Sequence, residues 1–368
     1  MRIVVLTSSR ADYGIYLPLF KKLQLDDFFE LKIIAFGTHL SRFHGYTIQN
    51  IESDGFEVSE KLETLILGDS ETAISNAIGN TITRFASLWE KLKSQVDLVL
   101  ALGDRYEMFA AVAAAVPFNI KIGHLHGGET TLGAIDNKFR HAITLMSSIH
   151  FAATESYCEK IKKLTGQDEG IFNVGALSLD NLNDLQLLTL EAFKEQFNID
   201  LSVPTILCTF HPETVSVEKN EIYTQVLVHT FKELSKEYQI IITMPNADTM
   251  GSMIRKYFLK LSKEIPQVKC VENLGSLGYF SCMKHCSFLL GNTSSGIIEA
   301  ASLGKYVINI GDRQKGRARS QNVLDVPVEK TKILNAALKV ESKFYKGENI
   351  YRLENSGDKI LFYLKQMM

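Results

Sequence analysis

Residues 98–115 read Leu98-Val99-Leu100-Ala101-Leu102-Gly103-Asp104-Arg105-Tyr106-Glu107-Met108-Phe109-Ala110-Ala111-Val112-Ala113-Ala114-Ala115, and that stretch decides the fold class. Leu98–Leu102 is a continuous apolar run, too short for a helix. It suits a strand covered on both faces, as in a parallel sheet. Tyr106–Ala115 is a run of good helix formers. Gly103-Asp104-Arg105 turns the chain between them, at the carboxyl end of a strand, where open α/β sheets bind ligands.

The same alternation recurs outward in both directions. Ile3–Leu6, Leu31–Phe36, Ile120–Ile122 and Ile149–Ala152 are further strand candidates before the middle of the chain, and Thr205–Thr209, Ile240–Thr243, Val268–Val271, Phe288–Leu290 and Tyr306–Ile310 after it. Ile222–Tyr238 carries apolar residues near the helical period, and Ser295–Leu303 is another helix candidate. So many strands exceed one small Rossmann unit. The expectation is therefore α/β, with two Rossmann-type doubly wound domains. The polar turn Gly166–Gly170 and the strand-poor Asn181–Leu190 put the boundary between Gly166 and Val203. This gives a first domain over 1–170 and a second over 171–354. A terminal helix around Ile360–Leu364, within 355–368, is expected to cross back to the first.

Composition narrows the function classes. In 368 residues, 40 basic and 42 acidic side chains leave a formal charge of −2, which argues against a generic nucleic-acid coat. Met1–Thr7 lacks the longer apolar stretch and cleavage site of a secretory signal. No apolar run approaches the roughly 18 residues of a membrane span. Five cysteines (Cys158, Cys208, Cys270, Cys282, Cys286) suggest reduced, partly buried thiols rather than a disulfide framework. Cys282 and Cys286 read as a packed pair. A cytoplasmic protein with no nucleic-acid or membrane partner is expected.

The loops after the strands carry the chemistry. Thr7-Ser8-Ser9-Arg10-Ala11-Asp12-Tyr13-Gly14 offers small polar residues at a helix start, with Arg10 as an anion clamp. A capped turn with a surface Arg is its plainer reading. Asp104, with Arg105 beside it, is either an N-cap or part of a substrate site. Gly123-His124-Leu125-His126-Gly127-Gly128-Glu129, followed by Asp136 and Arg140-His141, is the densest ionisable cluster. His124 and His126 share one face if that segment is extended. His-x-His could bind a metal, but no matching third and fourth ligands stand nearby. Paired glycines let backbone approach a ligand, which makes Glu129 a candidate general base. A glycine turn with solvated polar residues competes.

Phe210-His211-Pro212-Glu213-Thr214 places a His at a strand end, as a ligand contact, an acid or a structural residue. Met244–Asp248 reads as a turn. In Gly291-Asn292-Thr293-Ser294-Ser295-Gly296-Ile297-Ile298-Glu299, hydroxyls and N–H groups gather at a helix N-terminus, which favours phosphate. Glu299 suits a ribose diol better than a phosphate. Gly311–Arg319 adds four cations, either a solvated loop or a diphosphate partner. No Gly-x-Gly-x-x-Gly fingerprint occurs, which weakens a nicotinamide reading.

Taken in order, Ser9–Gly14, Gly103–Arg105, the His124–Asp136 region, Phe210–Thr214, Gly291–Glu299 and Gly311–Arg317 resemble the hydrolysing UDP-N-acetylglucosamine 2-epimerase family over residues about 1–325. The resemblance implies a GT-B-like pair of domains facing across a cleft, with the nucleotide on the second. Carried over, Thr293, Ser294 and Ser295 would contact the diphosphate and Glu299 the ribose. Arg10, Asp12, Arg105, His211, Asn246, Leu274 and Arg313 would help hold the nucleotide. Asp104, Glu129, Asp136, His126 and His211 form the catalytic set. One departure stands out. Sialic-acid-pathway members are similar to His-x-Glu-Gly-Gly-Glu, whereas His126 holds the middle position here. Glu129 or His126 would then substitute for the missing carboxylate, or the sugar differs. Members acting on a 2,4-diacetamido-2,4,6-trideoxy sugar look closer to this loop.

The implied reaction converts UDP-N-acetylglucosamine and water to N-acetylmannosamine and UDP, through elimination to a glycal and hydration, in sialic- or legionaminic-type acid synthesis. The diacetamido sugar on UDP or GDP is the alternative substrate. No cofactor or metal is implied, and a homo-oligomer (dimer or tetramer) is. The rival readings are a GT-B glycosyltransferase, a non-hydrolysing epimerase and a nucleotide-sugar sensor.

Overall fold

The structure is a computed structural model and describes residues 1–68, 70–245 and 251–367. Among these residues the chain forms two α/β units, each on a parallel sheet. The first sheet comprises β1 (Arg2–Thr7), β2 (Glu30–Phe36), β3 (Val58–Leu62), β4 (Leu98–Leu102), β5 (Ile122–Leu125), β6 (Ile149–Ala152) and β7 (Ile171–Asn173), in spatial order β3-β2-β1-β4-β5-β6-β7. The second comprises β8 (Thr205–Thr209), β9 (Gln239–Thr243), β10 (Val268–Val271), β11 (Phe288–Gly291), β12 (Val307–Ile310) and β13 (Val323–Val326), in order β10-β9-β8-β11-β12-β13. Both orders reverse direction once, between β1 and β4 and between β8 and β11. That is the doubly wound Rossmann arrangement, and loops at such a switch point bind ligands.

In chain order the helices begin with α1 (Arg10–Leu25), α2 (Ile48–Ser53), α3 (Glu71–Leu92), α4 (Tyr106–Ala115), α5 (Asp136–Met146), α6 (Glu155–Thr165) and α7 (Leu177–Asp184), which with α14 belong to the first unit. After them come α8 (Leu190–Phe197), α9 (Asn220–Leu234), α10 (Gly251–Glu264), α11 (Gly275–His285), α12 (Ser294–Ile298), α13 (Lys330–Val340) and α14 (Ser356–Gln366).

Alternation along each strand explains why the apolar runs are continuous. Ile3, Val5, Leu98, Leu100 and Leu102 enter one core with Tyr16, Phe20 and Phe151. Val4, Leu6, Val99 and Ala101 enter another with Phe85, Trp89 and Met108. Each of the larger side chains is worth about 1.5–3 kcal/mol of transfer free energy. A one-residue slip would exchange the two sets. In the second unit, Ile206, Cys208, Ile240, Ile242 and Leu290 pack with Phe231 and Phe258. The cysteines are unpaired, and burial pushes the Cys158 and Cys286 thiols up to about 12. They behave as small core hydrophobes.

Three strands escaped the sequence reading: β3, β7 and β13. All are edge strands without a fully buried residue pattern, so none carries the continuous apolar run used to find the others. β5 sits at Ile122–Leu125 rather than Ile120–Ile122. A glycine and a histidine are accommodated there because β4 and β6 flank the strand on both sides. The expected helix over Ser295–Leu303 divides into α12 and a 3-10 turn at Ala300–Leu303.

The first unit comprises Met1–Glu129, Asp136–Asn183 and the chain from Tyr351 onward. The second comprises Thr130–Ile135 and Asp184–Ile350. The crossover at 183/184 lies inside the expected interval Gly166–Val203, past residue 170. β7 pairs with β6, and Asp180 of α7 accepts N–H bonds from Ser356 (3.1 Å) and Gly357 (2.7 Å) at the start of α14. Lys22 pairs with Asp358 at 2.6 Å, and the Phe172 and Tyr363 rings stack. No helix among the described residues is long and apolar enough to cross a membrane.

Candidate active site

In the first unit the residues of interest follow β1, β4 and β5. Ser9 caps α1 by accepting the Asp12 N–H at 3.3 Å. Asp12 is buried, and its carboxylate accepts from the Ser8 N–H (3.0 Å) and Ser8 Oγ (2.6 Å). The structure thus gives Asp12 a capping role that shapes the loop. Arg10, exposed at the first position of α1, stands beside it.

Asp104 and Arg105 occupy the turn between β4 and α4. Arg105 reaches Glu107 with two nitrogens, at 2.8 and 3.2 Å, and Glu107 is buried. Asp104 pairs instead with Nη2 of Arg140 on α5. Arg140 is only 3% exposed. Its Nη1 donates to the His126 carbonyl at 2.9 Å and to Glu129 Oε2 at 3.3 Å. The other oxygen of Glu129 meets His126 Nδ1 at 2.7 Å, and Glu129 is 0% exposed. One buried guanidinium therefore compensates two carboxylates, and the second carboxylate orients an imidazole. A carboxylate acceptor requires the proton on Nδ1 and leaves Nε2 as the titrating nitrogen.

His126 has φ +61°, the left-handed region that a histidine enters at local cost. That turn separates it from His124, so the two do not share a face. His124 lies inside β5, fully buried. Its Nε2 is 2.8 Å from the Gly103 carbonyl and its Nδ1 is 3.1 Å from Thr144 Oγ1. The carbonyl can only accept, so Nε2 carries the proton. Burial pushes its pKa down to about 3. Gly127 and Gly128 pack against His124 and Tyr157 of the same unit. Asp136 opens α5 and is partly exposed, a favourable place for a carboxylate near a helix N-terminus. No group of three or more His, Cys, Asp or Glu among the described residues could hold a metal ion.

Arg140, which holds these groups together, stands in the sequence only as one member of an ionisable cluster. Its signal was spacing: Asp136, Arg140 and Thr144 recur every fourth residue, one face of a helix.

In the second unit the switch-point loops are bolted together. Asn292 Oδ1 accepts the His211 N–H at 2.7 Å, and Asn292 Nδ2 donates to the His211 carbonyl at 2.8 Å. The Asn292 carbonyl accepts from Gln314 (2.9 Å) and from Arg313 Nη1 (3.3 Å). Asn220 brackets Glu213, accepting from its N–H and donating to its carbonyl at 2.9 Å each. Glu213 Oε1 accepts the Asp312 N–H at 2.6 Å. Burial raises the Glu213 pKa against the pull of that N–H. His211, Thr293, Ser294, Ser295 and Arg313 therefore stand on one braced rim, with His211 buried and the others partly exposed. Asn246 lies outside the described residues. Leu274 is buried immediately before α11, and Glu299 is buried immediately after α12.

Two expectations change. α12 spans five residues, so it contributes N–H groups more than a macrodipole. The four cations also have protein acceptors: Lys315 pairs with Asp312 at 3.5 Å, Arg319 with Asp325, and buried Arg317 donates to Gln314 at 2.9 Å. Arg313 Nη1 donates to the Asn292 main-chain carbonyl at 3.3 Å.

Residues 21–365 match the family model described as UDP-N-acetylglucosamine 2-epimerase. A Legionella pneumophila UDP-N,N'-diacetylbacillosamine 2-epimerase (hydrolyzing) is 35% identical over 90% of this chain and 87% of its own length. A Campylobacter jejuni GDP/UDP-N,N'-diacetylbacillosamine 2-epimerase (hydrolyzing) is 34% identical over 94% and 88%. The crystal structure of Neisseria meningitidis UDP-GlcNAc 2-epimerase bound to UDP-GlcNAc shares the GT-B-like fold, with TM-score 0.84 at 20% identity over 100% of both chains. The braced switch-point loops, the buried ionic network and these likenesses agree: the chain belongs to the UDP-N-acetylglucosamine 2-epimerase family.

Proposed function

We propose that this protein is a hydrolysing 2-epimerase, releasing UDP and a free 2-acetamido sugar inverted at C-2. The observation that carries the reading is the buried group of Arg140, Glu129 and His126, with partly exposed Asp104 joined to it. It is a proton-exchange device of a kind that simple ligand binding does not require.

H-2 of an amino sugar is not acidic. Departure of UDP makes C-1 electron-deficient, and the C-2–H bond then yields its proton. The C-1–O electron pair leaves with UDP, a base takes H-2, and the C-2–H electrons form the 1,2-double bond of a glycal. Water then adds its oxygen to C-1 and loses a proton. C-2 is protonated from the face opposite to the original hydrogen. Two proton-exchanging groups are needed, with separated pKa values. We assign His126 Nε2, oriented by Glu129, as one, and Asp136 as the other. Arg140 pairs with both Glu129 and Asp104, and Asp104 supports the sugar side. On the second unit, Thr293, Ser294, Ser295 and Arg313 would meet the diphosphate charge that develops on the leaving group, with Glu299 toward the ribose diol and His211 beside it. Arg10 and Arg105 are further anion contacts.

His126 and the two relatives above support UDP-N,N'-diacetylbacillosamine as the sugar substrate ahead of UDP-N-acetylglucosamine. The product would feed a step that condenses a free 2-acetamido-mannose-type sugar into a nonulosonic acid. The test is incubation of the protein with each UDP- and GDP-linked sugar alone, followed by chromatography. Free inverted sugar without an acceptor supports the reading. Turnover that needs an acceptor would establish a glycosyltransferase, and UDP-linked inverted sugar a non-hydrolysing epimerase.

A further inference from the structure

The chain does something unusual between its two candidate acid–base groups. It leaves the first unit after Glu129, belongs to the second unit over Thr130–Ile135, and returns to the first at Asp136. In the second unit this strap is held by main-chain bonds. The Leu132 N–H donates to the Lys315 carbonyl at 3.0 Å, and the Thr214 N–H donates to the Gly133 carbonyl at 3.2 Å. The Ile135 N–H donates to Thr214 Oγ1 at 2.8 Å. Within the strap the Ala134 N–H meets the Thr131 carbonyl at 3.0 Å. Gly133 lies so close to Asp312 and Arg313 that a Cβ on it would stand 2.6 Å from their main-chain atoms. Thr131, Gly133 and Ala134 are buried.

The anchors are also the loops assigned to the nucleotide. Thr214 follows Glu213, whose carboxylate holds the Asp312 N–H, and Arg313 is tied to Asn292. A ligand that stiffens these loops acts on the strap, whose chain neighbours are Glu129 and Asp136. Coupling of this kind needs a continuous physical connection, and the covalent chain supplies it.

We infer that Thr214 and Gly133 are positioning residues, which anchor the Thr130–Ile135 strap to the nucleotide loops of the second unit, so that the order of those loops passes along the chain to its neighbours Glu129 and Asp136. The inference rests on the epimerase reading for its kinetic consequence, but not for its structural one. Ordering of the strap by UDP in the loops around Thr214 and Arg313 then steadies the catalytic groups that flank it in the chain. A misplacement of about 1 Å in such groups costs on the order of 10²-fold in rate.

The experiment uses the full chain and three variants: Thr214→Val, which keeps shape but removes the acceptor for Ile135; Thr214→Ser, which keeps it; and Gly133→Ala. Amide hydrogen exchange over residues 124–136 is measured with and without UDP, together with UDP affinity, kcat and KM. UDP slows exchange over that segment in the unsubstituted protein. Thr214→Val loses the protection, and its kcat falls about 10²-fold while KM and UDP affinity stay within about threefold. Thr214→Ser restores both, and Gly133→Ala, whose Cβ also presses on Asp312 and Arg313, loses the protection and kcat together with UDP affinity. No UDP-dependent change in the unsubstituted protein overturns the inference, as does undiminished kcat in Thr214→Val. A loss confined to UDP affinity overturns it too. If the unsubstituted protein binds UDP yet releases no free sugar, the epimerase reading fails, and the exchange comparison alone decides on the strap.

Discussion

The side chain of Asn292 pairs with both main-chain groups of His211, 2.7 Å at the N–H and 2.8 Å at the carbonyl. These residues follow β11 and β8, the adjacent strands at which the second sheet reverses. The amide acts as a missing rung of the sheet. It holds the two loops together just beyond the point where the strands stop pairing, and it is fully buried.

Asn292→Ala leaves both groups of His211 unbonded in a buried setting, at about 1–3 kcal/mol each. UDP affinity measured by calorimetry should fall at least about tenfold, since part of that cost is met as disorder of the loops. Asn292→Asp should be worse, because a second carboxylate oxygen would face the His211 carbonyl.

Arg140→Met removes the guanidinium that pairs with Glu129, and Glu129 is 0% exposed. An uncompensated buried carboxylate costs about 3–5 kcal/mol. Urea unfolding should report a loss in that range. The double variant Arg140→Met, Glu129→Gln should recover part of it.

His126→Gln and Glu129→Gln each break the 2.7 Å pair without changing side-chain volume greatly. Each should lower kcat by about 10²–10⁴-fold while UDP still binds with unchanged affinity. The pair acts as one unit, so the double variant should be little worse than either single one.

Gly291 has φ +148° at the end of β11, and a Cβ there would strike the Thr209 carbonyl. Gly291→Ala should destabilise the chain by at least about 1–3 kcal/mol, seen as a lower thermal unfolding midpoint.

Stability should decline with acid through the histidines. Burial lowers the pKa of His124 to about 3, and of His39 and His150 to about 4, from an ordinary 6.5. The unfolded chain takes up these protons as pH falls below 6.5, and the folded chain does not. Their contribution is therefore complete above 6.5 and is lost progressively toward the folded values. Each histidine adds a slope of up to about 1.4 kcal/mol per pH unit. His124→Gln, which retains an N–H for the Gly103 carbonyl but cannot titrate, should reduce the slope measured by urea unfolding.

The central strands were legible because burial on both faces writes an unbroken apolar run, as at Leu98–Leu102 and Thr205–Thr209. The edge strands β3, β7 and β13 write no such run. The loops were legible from strand ends. The roles inside them were not, because they depend on partners remote in sequence. Asp12 is occupied by Ser8 four positions back, but Asp104 finds Arg140 thirty-six positions on. Asn292 finds His211 across eighty-one. The excursion of Thr130–Ile135 into the second unit leaves no local mark at all.

The most direct test of the proposed reaction is turnover of the UDP-sugar in deuterium oxide, with the free sugar examined by proton NMR and mass spectrometry. Inversion through a glycal places one solvent deuterium at C-2 of the released sugar, alongside free UDP. A released sugar that keeps its original hydrogen at C-2 would contradict the account.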